Sequence, residues 1–304
     1  MSIATVTLNP ALDITTATEA VRHTHKLRCS EPRFEPGGGG INVARVVHAL
    51  GGKVTAVFPC GGPMGVTLET LLREAGVPIA PVPIAGATRQ SFTVEETSTG
   101  LPYRFVLPGP VLGESEIAAL VEVLRALPGR PDYIVASGSL PPGCHPRIFR
   151  RLADLGKRLV IDTSGLALAA CEGVRAYLVK PSLRELEELV GRTLATEMDE
   201  AAAARELLER GFAEIVVLSL GERGALLVTA DRELRLPAIP VPVANAVGAG
   251  DSMVAAITLA LARGQSLDEA LRYGIAGGAA ALLAPGAELV RKEDVERLYA
   301  AAGS

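Results

Sequence analysis

The segment NAVGAGDSM (residues 245–253) places one carboxylate directly behind two glycines. Gly248 and Gly250 leave their backbone N–H groups open to a ligand, and Asp251 follows at once. The apolar run from Asp251 to Arg263 predicts a buried helix whose first N–H groups and dipole attract anions. Such a site suits charge developing on a phosphoryl group, with Asp251 accepting a proton from an attacking hydroxyl. Spacing alone also allows an N-cap aspartate after a glycine turn.

A second glycine-rich segment, PGGGGINVAR (residues 36–45), leads into a predicted helix with Asn42 in its first turn. Glycine permits close approach of the backbone to a ligand, and a helix start offers free N–H donors. The Asn42 amide can both donate to and accept from a sugar hydroxyl. The alternative is a flexible loop before an ordinary helix. The chain has no G-x-x-x-x-G-K-[ST] P-loop, so phosphates would have to be held in another way.

Basic side chains collect in two polar segments of the first third of the chain. The first contains Lys26, Arg28 and Arg33, and the second contains Arg89 and Arg104. Strand alternation would place Lys26 and Arg28 on one face, because they are two residues apart. A cationic patch of this kind suits a substrate that carries a phosphate. The alternative is a solvated sheet edge, where lysine discourages aggregation.

Two further motifs have both a structural and a functional interpretation. In KPSLRELEEL, Ser182 and Glu185 have the spacing of a helix capping box, while Glu185 could instead reach a metal-bound water. In SLGERGALLV, Gly221 and Gly224 predict a tight turn between two strands. Such a turn can lie against a flat ligand such as a nucleotide or be a plain hairpin. The spacing favours the cap for the first motif and leaves the second open.

Short strands rich in Val and Ile must position these residues. Segments such as IATVTL, KVTAVF, DYIVASG, RLVIDTS, AYLVKPS and EIVVLSLG alternate with patterns of helical period. Several strands are apolar on both faces, which is typical of a parallel sheet covered by helices. The sequence therefore predicts a doubly wound α/β domain. Its ligands are expected at the carboxyl ends of the strands, where Asp13 follows the first one.

Two segments interrupt this alternation, residues 14–35 and residues 88–107. Both show polar alternation, and ETSTGLPY supplies the turn of a hairpin in the second. They predict a small, partly exposed sheet inserted into the main domain. With no repeat or linker in view, residues 1–304 are expected to form a single domain with this appendage.

Composition excludes several classes of function. The chain has 304 residues, of which 48% are hydrophobic, and a net charge of −4. No basic tail or Lys/Arg-rich run appears, so the sequence lacks the cluster of positive charge that is typical of nucleic-acid binding. The start lacks signal-peptide character, and the most apolar stretch, GIAGGAAALLAPGAELV, is broken by glycines and a proline. Four scattered cysteines without zinc spacing complete the expectation of a reduced, cytoplasmic protein that contacts no membrane.

Three motifs in fixed order carry a family resemblance. TLNPALD, PGGGGINVA and VGAGDSM occur in sequence, and the likeness runs from end to end. The chain resembles the PfkB carbohydrate-kinase family, which has the ribokinase-like fold. KLRCSEPRFEPGGGGINVARV, YRFVLPG and SGSLPPG are most similar to its sugar-phosphate branch. The resemblance implies a three-layer αβα sandwich with a mostly parallel sheet, and a small β-sheet lid formed by the two inserted segments.

The resemblance also implies an activity, namely phosphorylation of a sugar phosphate with ATP and Mg²⁺. Fructose 6-phosphate, phosphorylated at its C1 hydroxyl to fructose 1,6-bisphosphate in glycolysis, is the first expectation. Kinases of tagatose 6-phosphate or fructose 1-phosphate are the alternatives within the enzyme class. A protein that binds nucleotide or sugar phosphate without turnover is the alternative outside it. Relatives contact one another through the lid, so a homodimer is expected.

Roles for individual residues follow from the motifs they match. The resemblance makes Asp251 the catalytic base and assigns an anion hole to Gly248, Ala249 and Gly250. The residues implied in sugar binding are Asp13, Gly38, Gly39, Asn42 and Ser139. The residues implied in holding the substrate's phosphate are Lys26, Arg28 and Arg89. The residues implied at the nucleotide are Lys180, Ser182, Ser219, Gly221, Gly224 and Asn245, with Glu185 reaching the metal through water.

The sequence departs from the family pattern at two places. Ser182 stands where relatives commonly carry the asparagine of Asn-x-x-Glu, and a serine hydroxyl can replace it only in part, through water. Asn245 and Ala246 stand where many relatives have Asp-Thr, a region often associated with a monovalent cation such as K⁺. Metal affinity and K⁺ dependence are the properties that these departures affect.

Overall fold

The computed structural model of the chain describes residues 1–243, 247–284 and 289–302. Each segment predicted as a strand of the main sheet is one. The strands are β1 (Ile3–Val6), β2 (Ala11–Thr18), β3 (Arg33–Gly37), β4 (Val54–Cys60), β5 (Ile79–Pro83), β6 (Arg89–Glu96), β7 (Leu101–Val106), β8 (Tyr133–Ser137), β9 (Arg158–Asp162), β10 (Ala176–Val179), β11 (Ala213–Ser219), β12 (Ala225–Val228) and β13 (Glu233–Leu236).

The main sheet is mostly parallel. Among the described residues it has nine strands in the order β13-β12-β11-β10-β9-β8-β1-β4-β5. Only the pairs β11–β12 and β12–β13 are antiparallel. From β1 the chain proceeds outward to β4 and β5 on one side, whereas β8 and the later strands extend on the other. The strand order therefore reverses between β1 and β8, which is where an open α/β sheet binds ligands.

Helices cover both faces of this sheet and confirm the predicted three-layer αβα sandwich. They are α1 (Gly39–Ala49), α2 (Gly62–Glu74), α3 (Glu114–Ala126), α4 (Ile148–Ala153), α5 (Gly165–Ala169), α6 (Leu183–Val190), α7 (Glu197–Glu209), α8 (Ala249–Ala262), α9 (Leu267–Leu283) and α10 (Lys292–Ala302). One apolar core contains side chains from α1, α2, α8, α9 and α10, and the other contains side chains from α3, α4, α6 and α7. Alternate residues of the same strand enter opposite cores, for example Ile134 and Val135 of β8.

Helix α8 is buried on all sides, as its apolar sequence predicts. Every residue from Ser252 to Ala262 is buried, and α8 packs between α1 and α9. This burial fixes the helix start, and with it Asp251, relative to the carboxyl edge of the sheet. No helix in the described ranges is both long and apolar enough to cross a membrane.

A second, four-stranded sheet lies beside the main one, in the order β3-β2-β6-β7. Strands β6 and β7 form the predicted hairpin, whereas β2 and β6 pair in parallel. The two faces of this sheet differ in chemistry. Phe34, Ile14, Phe92 and Phe105 lie opposite one another in one row across all four strands. Asp13 lies on the other face, because successive side chains of a strand alternate.

Candidate active site

Asp251 lies at the third position of α8, not at its N-cap. Gly248 is the N-cap residue, with φ of 80°, a conformation that favours glycine. The Asp251 carboxylate accepts hydrogen bonds from two distant elements instead of capping its own helix. Asn42 Nδ2 donates to Oδ2 at 2.9 Å, and Ser137 Oγ donates to Oδ1 at 3.1 Å. The N-cap alternative for this aspartate is therefore wrong, and among the described residues one hydrogen-bond donor holds each carboxylate oxygen in place.

The surroundings of Asp251 give its carboxyl the properties of a base. Burial, followed by the nearby Asp162 carboxylate, raises the pKa of Asp251 to about 6. The hydrogen bonds from Asn42 and Ser137 and the Lys180 ammonium oppose that rise. At neutral pH the carboxylate is thus mostly ionised, and its pKa is close enough to neutrality for efficient proton transfer.

A positive environment lies on the other side of Asp251. The first hydrogen bond within α8 joins Ser252 N to Gly248 O, so the N–H groups of the preceding helical residues have no partner inside the helix. The Lys180 ammonium is next to them, because a Cβ at Gly250 would lie 3.7 Å from Nζ. These donors and the helix dipole form a site for an anion.

Lys180 keeps its charge although the side chain is only 5% exposed. Its Nζ lies 3.2 Å from Asp162 Oδ1. Burial alone would lower the pKa of Lys180, but the carboxylates of Asp162, Glu185 and Asp251 raise it above its usual value. A fixed ammonium therefore stands at the carboxyl end of β10, beside the start of α8.

The glycine run before α1 brings that helix against two strand ends. An ideal Cβ at Gly39 would lie 2.3 Å from Ser137 Oγ and 2.8 Å from Gly138 N. Gly38, the N-cap residue, has φ of 111°. Packing thus accounts for Gly39 and the positive φ accounts for Gly38, whereas their contact with a sugar stays a prediction. Asn42, one turn into the helix, faces Asp251 as its bond to that carboxylate shows.

Asp13 and Arg89 occupy the junction between the two sheets. Burial raises the pKa of Asp13, and the charges of Arg89, Arg104 and Arg45 counteract this. Arg89 donates to the backbone oxygen of Asn9 from Nε at 3.3 Å and from Nη2 at 3.2 Å. The structure thus brings together two carboxylates, Asp13 and its cross-strand neighbour Glu35, and several guanidinium groups beside the inner strands of the second sheet.

Lys26 and Arg28 are placed differently from the prediction. Residues 19–32 contain no strand, and both side chains are exposed in this connection between β2 and β3. The prediction that Lys26 and Arg28 share one face of a strand is therefore wrong, because neither residue lies in a strand. The segment is held to β2 by other bonds, including one from Thr18 Oγ1 to Arg28 O at 3.3 Å.

The residues predicted at the nucleotide lie along the neighbouring strand ends. Ser182 and Glu185 form the predicted capping box, in which Ser182 N donates to Glu185 Oε2 at 2.7 Å and Glu185 N donates to Ser182 Oγ at 3.3 Å. Ser219 pairs with Ser182 as an isolated parallel bridge, which extends the sheet at this edge. The capping role is therefore confirmed, and the proposed contact of Glu185 with a metal-bound water is a separate prediction.

A tight turn joins β11 to β12, as the sequence predicts. Gly221 begins a short 3₁₀ turn, and Leu220 N donates to Gly224 O at 2.9 Å. A Cβ at Gly224 would lie 2.0 Å from Leu236 O, so close packing against β13 requires this glycine. Asn245, the remaining residue predicted at the nucleotide, lies outside the described residues, as does Ala246.

Three residues at this edge were not among the predicted site residues. They are Asn9 after β1, Ser137 at the end of β8 and Asp162 at the end of β9. Asn9 Nδ2 donates to Ser139 Oγ at 3.1 Å, which links the predicted sugar-binding loop to the second sheet. Their positions at strand ends in TLNPALD, VASGS and VIDTSG are the sequence signal that could have identified them.

The chain is similar to proteins of a known family of kinases. The model of the pfkB family of carbohydrate kinases matches residues 6–293. The chain belongs to this family, and the predicted resemblance is confirmed. A ribokinase from Arabidopsis thaliana has the same fold, with a TM-score of 0.79 and 19% identity over 98% of each chain.

The more similar relatives share one activity by name. ATP-dependent 6-phosphofructokinase isozyme 2 of Mycobacterium tuberculosis is 52% identical over 302 residues, which cover 98% of this chain and 88% of that protein. The Escherichia coli isozyme 2 is 44% identical over 98% of both chains. A crystal structure of the E. coli protein with substrates and products matches with a TM-score of 0.93 and 42% identity, covering both chains fully. Its complex with potassium matches at 0.94 and its tetrameric inhibited form at 0.93, both at 42% identity over 100% of this chain and 99% of that chain.

Proposed function

We propose that the protein is an ATP-dependent 6-phosphofructokinase that phosphorylates the C1 hydroxyl of fructose 6-phosphate. The observation that carries the proposal is the placement of Asp251, an oriented carboxylate of raised pKa beside a buried ammonium and a helix start. A base and an anion site that share one helix turn fit transfer of a phosphoryl group to an alcohol. The relatives that are 52% and 44% identical carry this activity by name.

In the proposed reaction Asp251 removes the proton from the C1 hydroxyl. The sugar oxygen forms a bond to the terminal phosphorus of ATP, and the bond from that phosphorus to the bridging oxygen breaks with its electron pair leaving on ADP. The N–H groups of Gly248, Ala249 and Gly250 and the Lys180 ammonium stabilise the negative charge of the transferring group. Asn42 and Ser137 keep the carboxylate oriented throughout.

The acidic groups near Lys180 fit a magnesium ion that is bound chiefly through phosphate and water. No group of three or more His, Cys, Asp and Glu side chains in the described ranges could hold a metal by itself. Mg²⁺ commonly keeps several waters and binds through one or two carboxylates together with substrate phosphates. Asp162 and Glu185 are the carboxylates that would contact its hydration shell. When bound, the ion neutralises phosphate charge.

The second sheet supplies the cations that a sugar phosphate requires. Arg89 lies at the start of β6 beside Asp13, and Arg104 on β7 lies on the same face as Asp13. In the proposed complex Asp13 binds sugar hydroxyls, while Arg89 and the exposed Lys26 and Arg28 hold the phosphate. Closure of this sheet over the sugar would exclude water and limit hydrolysis of ATP.

A coupled assay of ADP release tests the proposal. Wild-type protein is supplied with MgATP and with fructose 6-phosphate, tagatose 6-phosphate or fructose 1-phosphate in turn. The highest kcat/KM is expected with fructose 6-phosphate. A higher value with another sugar phosphate would replace the substrate but keep the kinase. Absence of turnover with every sugar, despite measurable ATP binding, would leave only a binding protein.

The apolar face of the second sheet also supports a homodimer. Phe34 and Phe105, at the two ends of the apolar row, are 46% and 53% exposed. A second copy of the chain that packs the same row against this one would bury them. Light scattering of wild type and of Phe105→Glu tests this: the wild type is expected as a dimer or larger and the variant as a monomer. An unchanged mass for the variant would place the interface elsewhere.

A potassium requirement is a further part of the proposal. One structure of the E. coli relative is a complex with potassium. In this chain the associated segment contains Asn245 and Ala246. Turnover at equal ionic strength in KCl and in NaCl measures the requirement. Higher turnover in KCl supports it, and equal rates would remove K⁺ from the account.

A further inference from the structure

Ser137 connects three elements of the site although no motif assigned it a role. It is the last residue of β8, and its side chain is 5% exposed. Its hydroxyl donates to Asp251 Oδ1 at 3.1 Å, across 114 residues of sequence. On the other side, its oxygen lies so close to Gly39 that any side chain there would collide with it. The hydroxyl is therefore confined between the start of α1 and the start of α8.

This confinement fixes the direction of the hydroxyl. A Cβ at Gly39 would lie 2.3 Å from Ser137 Oγ, so a larger residue would displace the oxygen from its position against Asp251. The glycine at the first position of α1 thus leaves the space that the hydroxyl occupies. A serine held in this way loses little further conformational entropy when it donates.

The hydrogen bond favours the charged form of the carboxylate. Donation to an ionised acid stabilises that form relative to the protonated one. Two charged groups face Asp251 from neighbouring strand ends: the Asp162 carboxylate disfavours ionisation, and the Lys180 ammonium favours it. Glu185 on α6 acts on Lys180 and Asp162. Asn42 is the other neutral donor and binds the opposite oxygen.

We infer that Ser137 is a positioning residue, which orients the Asp251 carboxylate and keeps it ionised in the pH range where the kinase works. The inference rests on the proposed function of Asp251 as the base. Ser137 need not touch the sugar for this role. It acts through Oδ1 and leaves the remaining lone pairs of the carboxylate for the substrate hydroxyl.

The test is the pH dependence of kcat/KM for Ser137→Ala. On the acidic side of this profile, kcat/KM falls as Asp251 is protonated, and we call this fall the acidic limb. Loss of the hydrogen bond is expected to move the acidic limb to higher pH by about one unit relative to wild type. The KM for ATP is expected to stay within about twofold, because the Ser137 hydroxyl bonds to Asp251 and, among the described residues, to none of those predicted at the nucleotide.

Thr163→Val is the matched control. The Thr163 hydroxyl is 6% exposed and donates to Gly138 O at 2.9 Å, one residue from Ser137, but does not contact Asp251. This variant removes an equally buried hydroxyl from the same strand edge. It is expected to leave the acidic limb where wild type has it. A limb that moves equally in both variants would overturn the inference.

A measurement without turnover separates the inference from the proposed function. Carbon-13 NMR of aspartate-labelled protein, with the Asp251 signal assigned by its absence in Asp251→Asn, gives the pKa of Asp251 directly. A pKa higher in Ser137→Ala than in wild type supports the inference even if no sugar is phosphorylated. An unchanged pKa in folded Ser137→Ala would overturn it even if the enzyme is a kinase. Should that variant not fold, Ser137→Cys, a weaker donor of similar size, is expected to give a smaller upward shift, and no shift would be contradictory.

Discussion

The carboxyl edge of the main sheet and the small second sheet build their parts of the site in different ways. At the main edge, the side chains of the proposed site are fixed by their neighbours: Asn42 and Ser137 hold Asp251, and Asp162 holds Lys180. On the second sheet, Lys26 and Arg28 lie in an irregular, exposed connection. One region is organised by contacts between its own side chains. The other also presents exposed charge and apolar surface, which the proposed function would bury against a substrate or a second copy.

In the proposed function this difference separates the residues that take part in the reaction from those that bind the substrate. A base and a cation that must stabilise a transition state gain most from fixed positions, because no reorganisation is then needed during the reaction. Residues that select and enclose a substrate must allow it to enter and leave. Substitutions at the main edge should therefore lower kcat, and substitutions on the second sheet should raise KM.

Asp251→Asn is expected to have the largest effect. Asparagine keeps the size of the side chain but cannot take the proton, so kcat should fall by about 10²–10⁴ with fructose 6-phosphate. The KM values should change little. Steady-state ADP release measures both constants. A variant that retained kcat would remove Asp251 as the base and would break the distinction between the two regions.

The thermal stability of the same variant provides a control for folding. The raised pKa of Asp251 favours the folded state at low pH, and this contribution is lost as the pH rises through about 6. Asparagine does not titrate. Hence Tm of Asp251→Asn should exceed that of wild type by a few degrees at pH 8, and the advantage should shrink towards pH 4. A lower Tm at pH 8 would indicate damage to the fold.

Lys180→Met should rank second, with kcat lower by roughly 10²-fold. The substitution also leaves Asp162 buried without its partner, which lowers stability. The double variant Lys180→Met with Asp162→Asn removes both charges, and its Tm should recover while kcat stays low. Recovery of kcat together with Tm would reduce Lys180 to a structural counter-ion.

Arg89→Ala should have a smaller effect, confined to the second sheet. The KM for fructose 6-phosphate is expected to rise about tenfold, which corresponds to loss of one charge-assisted hydrogen bond. The kcat should change less than KM. Arg125→Ala, an exposed arginine on α3 paired with Glu122, serves as the control of equal charge change. An unchanged KM in Arg89→Ala would move the phosphate clamp to another cation.

The sequence was informative where local chemistry determines structure. Strand and helix periods predict the three-layer fold, and the Ser-x-x-Glu spacing predicts the cap formed by Ser182 and Glu185. Each of these signals depends on residues that lie close together in the sequence. The buried helix α8 was predicted for the same reason, since its apolar residues recur on every side.

Long-range pairing explains what was missed. The bonds of Asp251 to Ser137 and Asn42 join residues 114 and 209 positions apart, and no local pattern encodes such a contact. The prediction for Lys26 and Arg28 failed because side-chain alternation holds only in a strand. Polar alternation alone does not show that the chain pairs with a neighbour.

The pH dependence of kcat/KM for fructose 6-phosphate tests the central claim most directly. If Asp251 is the base, activity should fall as the pH is lowered through about 6, because protonation removes the acceptor for the C1 proton. The same limb should be absent from the residual activity of Asp251→Asn. A wild-type profile that stayed flat down to pH 5, or a limb that persisted in Asp251→Asn, would contradict the account.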